Sequence, residues 1–199
     1  MAIIIRLDQS ITNSNAPRIL EAITSDDFSG SGEIVGSTTT AALGGSPMQW
    51  GGIEGGWIRE NGGIRAQDAP TNRNIELRPL PQDLSVRFTA VTIPTNGRII
   101  ISLRSSEDAS TRASLRLEAG GVLRFENRVN DAIELSNTVN AVNAGDRVQI
   151  MAEGDSLKAL VNGVSVLSFT TSITGPGGVR LSAYLESTAV IDDLKIEQI

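Results

Sequence analysis

Residues 144–169 read AGDRVQIMAEGDSLKALVNGVSVLSF, and the fold turns on how they are read. Val148, Ile150 and Ala152 alternate with polar neighbours. Leu157, Ala159 and Val161 repeat the pattern, and Val164 and Val166 begin it a third time. A period of two marks strands with one buried face. The turn signal AEGDS (152–156) separates the first run from the second. Asn162-Gly163 separates the second from the third, and an Asn-Gly pair between alternating runs is the strongest short hairpin signal. Three half-buried strands joined by tight turns make an antiparallel meander.

The same period extends through the middle of the chain. TRASLRLE (111–118) turns Ala113, Leu115 and Leu117 to one face and Arg112, Ser114, Arg116 and Glu118 to the other. VLRFENRV (122–129) buries Leu123 and Phe125 and turns Arg124, Glu126 and Arg128 outward. RIIISLRS (98–105) buries Ile99, Ile101 and Leu103. PTNG (94–97) and EAGG (118–121) supply turns between these runs. No long segment shows a 3.6-residue period. Pro17 at a first helical position marks one short helical turn over Pro17–Ile23. The outward ladder Arg112, Arg116, Glu118, Arg124, Glu126 and Arg128 reads as a solvated face, or as a face docked on a neighbouring subunit.

Composition narrows the chemistry. The chain of 199 residues has no cysteine and no histidine. Disulfides, Cys/His zinc sites and any Cys nucleophile or His base are excluded. A chain of this length buries a core without such staples. The net charge of −6 argues against nucleic acid as a partner, since phosphate binding needs a basic face. Lys158 and Lys195 are the only lysines, against fifteen arginines. Arginine is the cation of interfaces and of carboxylate recognition. The opening MAIIIRLDQS is too short in its apolar part for a signal-peptide core or a membrane span, so cytoplasmic synthesis without membrane insertion is expected.

Residues 1–24 read as an arm, with a short strand AIIIRL followed by the polar DQSITNSNAP. Residues 25–199 read as one β domain. Its least regular part, 29–63, ends in QWGGIEGGWIRENGG (49–63), which holds both tryptophans. Trp57 reads as the start of an inward-facing strand. Trp50, with Arg59 and Asn61 beside it, reads as the set from which a sugar platform could be built.

Three segments carry a family resemblance: SDDFSGSG (25–32) with the later GGWIRENGGIRA, the meander 144–169, and the closing AVIDDLKIEQI (189–199). Together they resemble the concanavalin A-like lectin/glucanase jelly roll in its laminin-G-like form, as found in bacteriophage virion proteins. The resemblance implies an all-β, two-sheet antiparallel jelly-roll sandwich, in which the DDF strand lies beside the terminal IDDL strand. The doublets Asp26-Asp27 and Asp192-Asp193 would then approach each other, and they form the one candidate calcium set. The glucanase branch of that family carries its acids on one strand as Glu-x-Asp-x-x-Glu. Neither SSEDAS (105–110) nor DAIELS (131–136) has that spacing, so no catalytic residues, no cofactor and no enzymatic activity are expected.

The resemblance implies a virion structural protein of a tail, baseplate or capsid decoration, made in the host bacterial cytoplasm and a homo-oligomer. Ile3, Ile4, Ile5 and Arg6 would attach it to other virion subunits by strand addition. The alternative is a glycan-binding adhesin that meets a cell-surface glycan through the 29–63 loop.

Overall fold

The computed structural model describes residues 20–52, 56–60, 62–67, 73–185 and 188–199. Two antiparallel sheets face each other across one apolar core. The first contains β1 (Glu21–Asp26), β2 (Gly32–Glu33), β4 (Trp57–Arg59), β5 (Ile64–Ala66) and β7 (Leu84–Ala90). It also contains β12 (Arg147–Glu153), β13 (Ser156–Val161), β14 (Val164–Thr170) and β16 (Ile191–Gln198). Its order is β14-β13-β12-β7-β16-β5-β4-β2, with β1 also paired to β16. The second contains β3 (Gly51–Gly52), β6 (Arg73–Leu80), β8 (Arg98–Ser105), β9 (Arg112–Glu118), β10 (Val122–Val129), β11 (Ala132–Asn140) and β15 (Gly177–Tyr184). Its order is β11-β10-β9-β8-β15-β6-β3. This is the expected two-sheet sandwich.

The alternating residues build the core. Ile101, Leu115, Phe125 and Leu181 from the second sheet meet Val86, Phe88, Val148, Ile150 and Ile196 from the first, and all are fully buried. Each such side chain contributes about 1.5–3 kcal/mol by leaving water. The meander that opened the reading forms as expected, with β12, β13 and β14 paired in sequence. Asn162 and Gly163 both have positive φ, 52° and 83°, the backbone of the tight turn that an Asn-Gly hairpin favours.

The first and last described strands pair. β1 lies antiparallel to β16, with Asp26 opposite Leu194. The helical turn expected over Pro17–Ile23 is corrected where the chain is described. Glu21–Ile23 belongs to β1, because its backbone pairs with Gln198 and Glu197. Ile3–Arg6 lie outside the described residues. Among the described residues no helix is long and apolar enough to cross a membrane.

The irregular segment after β1 is tied down. Ala41 N–H donates to the Ser25 carbonyl at 2.7 Å, and Ser46 N–H to the Ile23 carbonyl at 2.8 Å. The Ser25 hydroxyl donates to the Gly44 carbonyl at 2.8 Å. Further along, Gly52 has φ 128° and lies against β6, where a Cβ would collide with the Asn74 carbonyl oxygen. That position admits only glycine for a steric reason. It is a close approach of backbones within the sheet.

Candidate functional site

Strand register builds the most distinctive polar face of the molecule. On the outer side of the second sheet, Glu126, Ser114, Ser102, Arg180 and Glu76 stand opposite one another in a row across β10, β9, β8, β15 and β6. The next row is Arg124, Arg116, Ile100, Ser182 and Asn74. Arg128 lies opposite Arg112 on the other flank. Ser102 and Ser114 share a 2.9 Å hydrogen bond and are short, so long arginines rise on both sides of them. The result is a cleft of about 220 Å³ lined by Asn74, Ile100, Arg112, Arg128, Arg180 and Ser182. Asp108, from the β8–β9 loop, and Asp131, from the β10–β11 turn, complete its rim.

Ion pairs hold these side chains in place. Glu126 is fully buried, with Arg112 at 3.6 Å, Arg128 at 3.4 Å and Arg116 against its other oxygen. Glu76 accepts from Arg180 at 2.7 Å and lies 3.2 Å from Arg78. Arg98 covers the ring of Tyr184, 4.6 Å from its centroid. Of the two readings of this ladder, a solvated face or one docked on a neighbouring subunit, the first is corrected, since its arginines are largely buried within the chain itself. The side chains bury one another, and Arg116 is only 8 % exposed.

The cleft lining holds three arginines, Arg112, Arg128 and Arg180, against Asp108 and Asp131, and Arg128 also meets Asp131 at 3.2 Å. Burial pushes Arg112 down to about 10, and the guanidinium groups of Arg128 and Arg180 add to the push. Burial likewise brings Arg116 to about 10, with Arg98 contributing. Both stay charged at neutral pH. The Nε–H groups of Arg112, Arg116 and Arg124 are buried without a hydrogen bond, and so are both oxygens of Glu126, which meets its arginines as ion pairs. Asp108 is held down to about 2 by the Ser106 hydroxyl and by the N–H and hydroxyl of Ser110, so it is an ionised acceptor at the rim.

A larger depression, of about 490 Å³, lies on the outer face of the first sheet, lined by Arg87, Thr89, Arg147, Gln149, Asn162 and Gly163. Its Arg147 and hairpin turn are exposed. Long side chains held in water must be ordered by a ligand at an entropic cost. The cleft on the second sheet is smaller but pre-organised by its ion pairs, and it is the better candidate.

The residues singled out by sequence lie elsewhere. Trp50 is corrected: it is buried, 1 % exposed, and presents no ring face to solvent. Its indole N–H donates to Asp26 Oδ2 at 2.8 Å, and its ring packs 6.1 Å from that of Phe28. Arg59 is corrected in the same way, since its guanidinium donates to the same Asp26 oxygen at 3.2 Å. The second Asp26 oxygen accepts the Phe28 N–H at 2.9 Å. Trp50, Asp26 and Arg59 are thus one buried knot that holds the loop to the sheet. Trp57 is buried, with its indole N–H on the Arg73 carbonyl. Asn61 lies outside the described residues.

The acidic doublets do approach one another. Asp192 is pushed above the ordinary aspartate range, chiefly by burial and then by the charges of Asp193, Asp27 and Asp26, against the pull of the Asp193 N–H it accepts. Asp26 is committed to Arg59 and Trp50. Among the described residues no three Asp, Glu, His or Cys side chains are grouped to hold a metal ion. Because the folded-state pKa is raised, Asp192 costs stability above it, and the cost vanishes as pH falls through it. Asp192→Asn keeps the Asp193 hydrogen bond. It is expected to raise the unfolding midpoint at pH 7 by roughly 1–3 °C, solvent screening keeping the gain small. The gain should disappear near pH 4 in scanning calorimetry, and an equal gain at both pH values would contradict this account.

Comparison with solved structures fits the architecture. A CBM66 carbohydrate-binding module from Bacillus subtilis superposes with TM-score 0.58 at 16 % identity, covering 85 % of this chain and 96 % of that one. β-Agarase A from Zobellia galactanivorans gives 0.63 at 13 %, covering 90 % and 92 %. SCLam, a non-specific endo-β-1,3(4)-glucanase of family GH16, gives 0.61 at 9 %, covering 92 % of each. The fold is a two-sheet jelly-roll sandwich of the kind these structures share. No protein-family model and no curated protein matches the sequence.

These likenesses correct one expectation. The absence of a Glu-x-Asp-x-x-Glu pattern was the ground for expecting no enzymatic activity, yet the structures sharing this jelly roll include an agarase and a glucanase. The missing spacing in sequence does not set catalysis aside for this fold.

The cleft residues missed by sequence reading are Asn74, Glu76, Arg180 and Ser182. Arg180 and Glu76 are 104 residues apart in the chain and meet only because β15 pairs with β6. The signal that was available is the outward Arg/Glu alternation of β9 and β10, which marks the right face but not its other half.

Proposed function

We propose that this chain is a glycan-binding module and that its ligand occupies the cleft between Arg112, Arg128 and Arg180. The observation that carries the reading is the cleft itself. Amide and hydroxyl groups of Asn74 and Ser182 stand beside fixed guanidinium forks, a set suited to the dense hydroxyl pattern of a sugar. Ile133 and Leu135 of β11 stand opposite Arg128 and Glu126 and are 48 % and 41 % exposed, an apolar strip for the C–H face of a sugar ring. A carbohydrate-binding module and agarose- and glucan-active enzymes of the same fold support it. Assembly into a virion through Ile3–Arg6, with oligomerisation, is the weaker reading, since no likeness points to it.

The test is a glycan array followed by titration calorimetry with wild type and Arg180→Gln. Arg78 still neutralises Glu76 when Arg180 is gone, so the variant should fold. Its affinity is expected to fall at least tenfold, with the unfolding midpoint within about 5 °C of wild type. Wild-type affinity in Arg180→Gln would overturn the site, and an array with no bound glycan would overturn the function. Assaying the same mixtures for reducing sugar shows whether a bound glycan is also cleaved.

A further inference from the structure

We infer that the glycan taken by this face carries carboxylate or sulfate groups, bound as anions between Arg112, Arg128 and Arg180. The inference rests on the glycan-binding reading above and names the class of glycan.

Three observations carry it. The first is charge. The chain bears a net −6, yet three guanidinium groups line this cleft against two carboxylates, Asp108 and Asp131, with Glu126 and Glu76 behind them as counter-charges. An arginine-lined opening on an acidic surface offers anions a local site that the rest of the molecule does not. The second is crowding of like charge. Arg112, Arg128 and Arg180 line the same cleft, and the latter two press on the Arg112 guanidinium beyond what burial does. An anion entering the cleft relieves that repulsion and offers oxygens in the geometry that a guanidinium fork matches bidentately. The third is the lack of an aromatic platform. Both tryptophans are buried, Phe28, Phe88 and Phe125 lie in the core, half-buried Phe169 of β14 stacks on Phe125 away from the cleft, and Tyr184 is covered by Arg98. Neutral sugars are commonly held by stacking on such rings. This face has guanidinium groups in their place.

The cleft is smaller than the roughly 300–1,000 Å³ of a drug-sized site. It therefore suits one charged residue of a longer chain, whose neighbours run along the open sheet toward Ile133 and Leu135. Asp108 and Asp131 at the rim set the orientation, since an acid group is favoured inside the arginine walls and disfavoured beside either carboxylate.

The experiment measures wild-type binding of four probes by calorimetry: oligogalacturonate for carboxylate, a carrageenan oligosaccharide for sulfate, laminarin oligosaccharides as neutral glycan, and a single-stranded DNA oligonucleotide. Binding of one or both acidic glycans, at least tenfold tighter than laminarin and weakened several-fold between 50 and 500 mM NaCl, is expected. Which acidic probe binds identifies the anion. Asn74→Asp keeps the shape of the cleft and adds one negative charge. Both glycans lose the Asn74 amide, and the acidic one should weaken by roughly tenfold more than the neutral one, from charge repulsion.

Equal, salt-insensitive binding of laminarin would overturn the anionic assignment and leave the glycan reading standing. DNA binding as tight as that of the acidic glycans would overturn the assignment to sugar. No binding of any oligosaccharide would overturn both.

Discussion

Replacing Asp26 with alanine is expected to lower the unfolding midpoint by roughly 8–15 °C. One oxygen of this fully buried carboxylate takes the Trp50 indole N–H and the Arg59 guanidinium, and the other takes the Phe28 N–H. Removing it strands a guanidinium that is 9 % exposed and leaves two buried donors unpaired. Breaking a buried ion pair from one side costs about 3–5 kcal/mol, and a domain of this size loses about 2–4 °C per kcal/mol. Calorimetry gives the midpoint, and hydrogen exchange should show the backbone of residues 37–50 losing protection first. A drop under about 3 °C would mean that the knot does not hold the loop. The same geometry makes Trp50→Ala uninformative about ligands, because a lost glycan signal there would report a damaged core.

Glu126→Gln is the second substitution with a large expected effect, a fall of roughly 6–15 °C. Glu126 is the shared counter-charge of Arg112, Arg116 and Arg128. Without it, three close guanidinium groups repel one another where burial keeps water from screening them, again at a cost of about 3–5 kcal/mol. The variant also carries a sharper test of the cleft. Its surplus positive charge should bind anions more tightly, so 10 mM sulfate should raise its midpoint by more than it raises that of wild type. A fall of less than about 2 °C, or equal responses to sulfate, would show that Glu126 does not organise these arginines.

The two knots differ in how they could be read beforehand. The Glu126 cluster was half visible, since the alternation in TRASLRLE and VLRFENRV turns Arg112, Arg116, Arg124, Glu126 and Arg128 to one side. Its burial was not visible. Whether an outward face is wet depends on what the neighbouring strands carry, and β15 and β6 come from distant parts of the chain. The Asp26 knot was not visible at all. QWGGIEGGWIRENGG has no periodicity to say where Trp50 points, and its partner is an aspartate 24 residues earlier, on a strand that pairs with the far end of the chain.

By itself the sequence determined the architecture. A period of two in Val148–Val166 and Ile99–Phe125, with Asn162-Gly163 and the other turns, dictates antiparallel strands with one buried face, and the resemblance of three segments to a jelly-roll family implied the two-sheet sandwich. It also ruled out thiol and histidine chemistry. Only the tertiary structure decided the site. Periodicity is a local property, set by which side of its own strand a residue occupies. A binding cleft depends on which strands lie side by side and in what register, and that register alone brought Arg180, Ser182 and Asn74 to the arginines of β9 and β10.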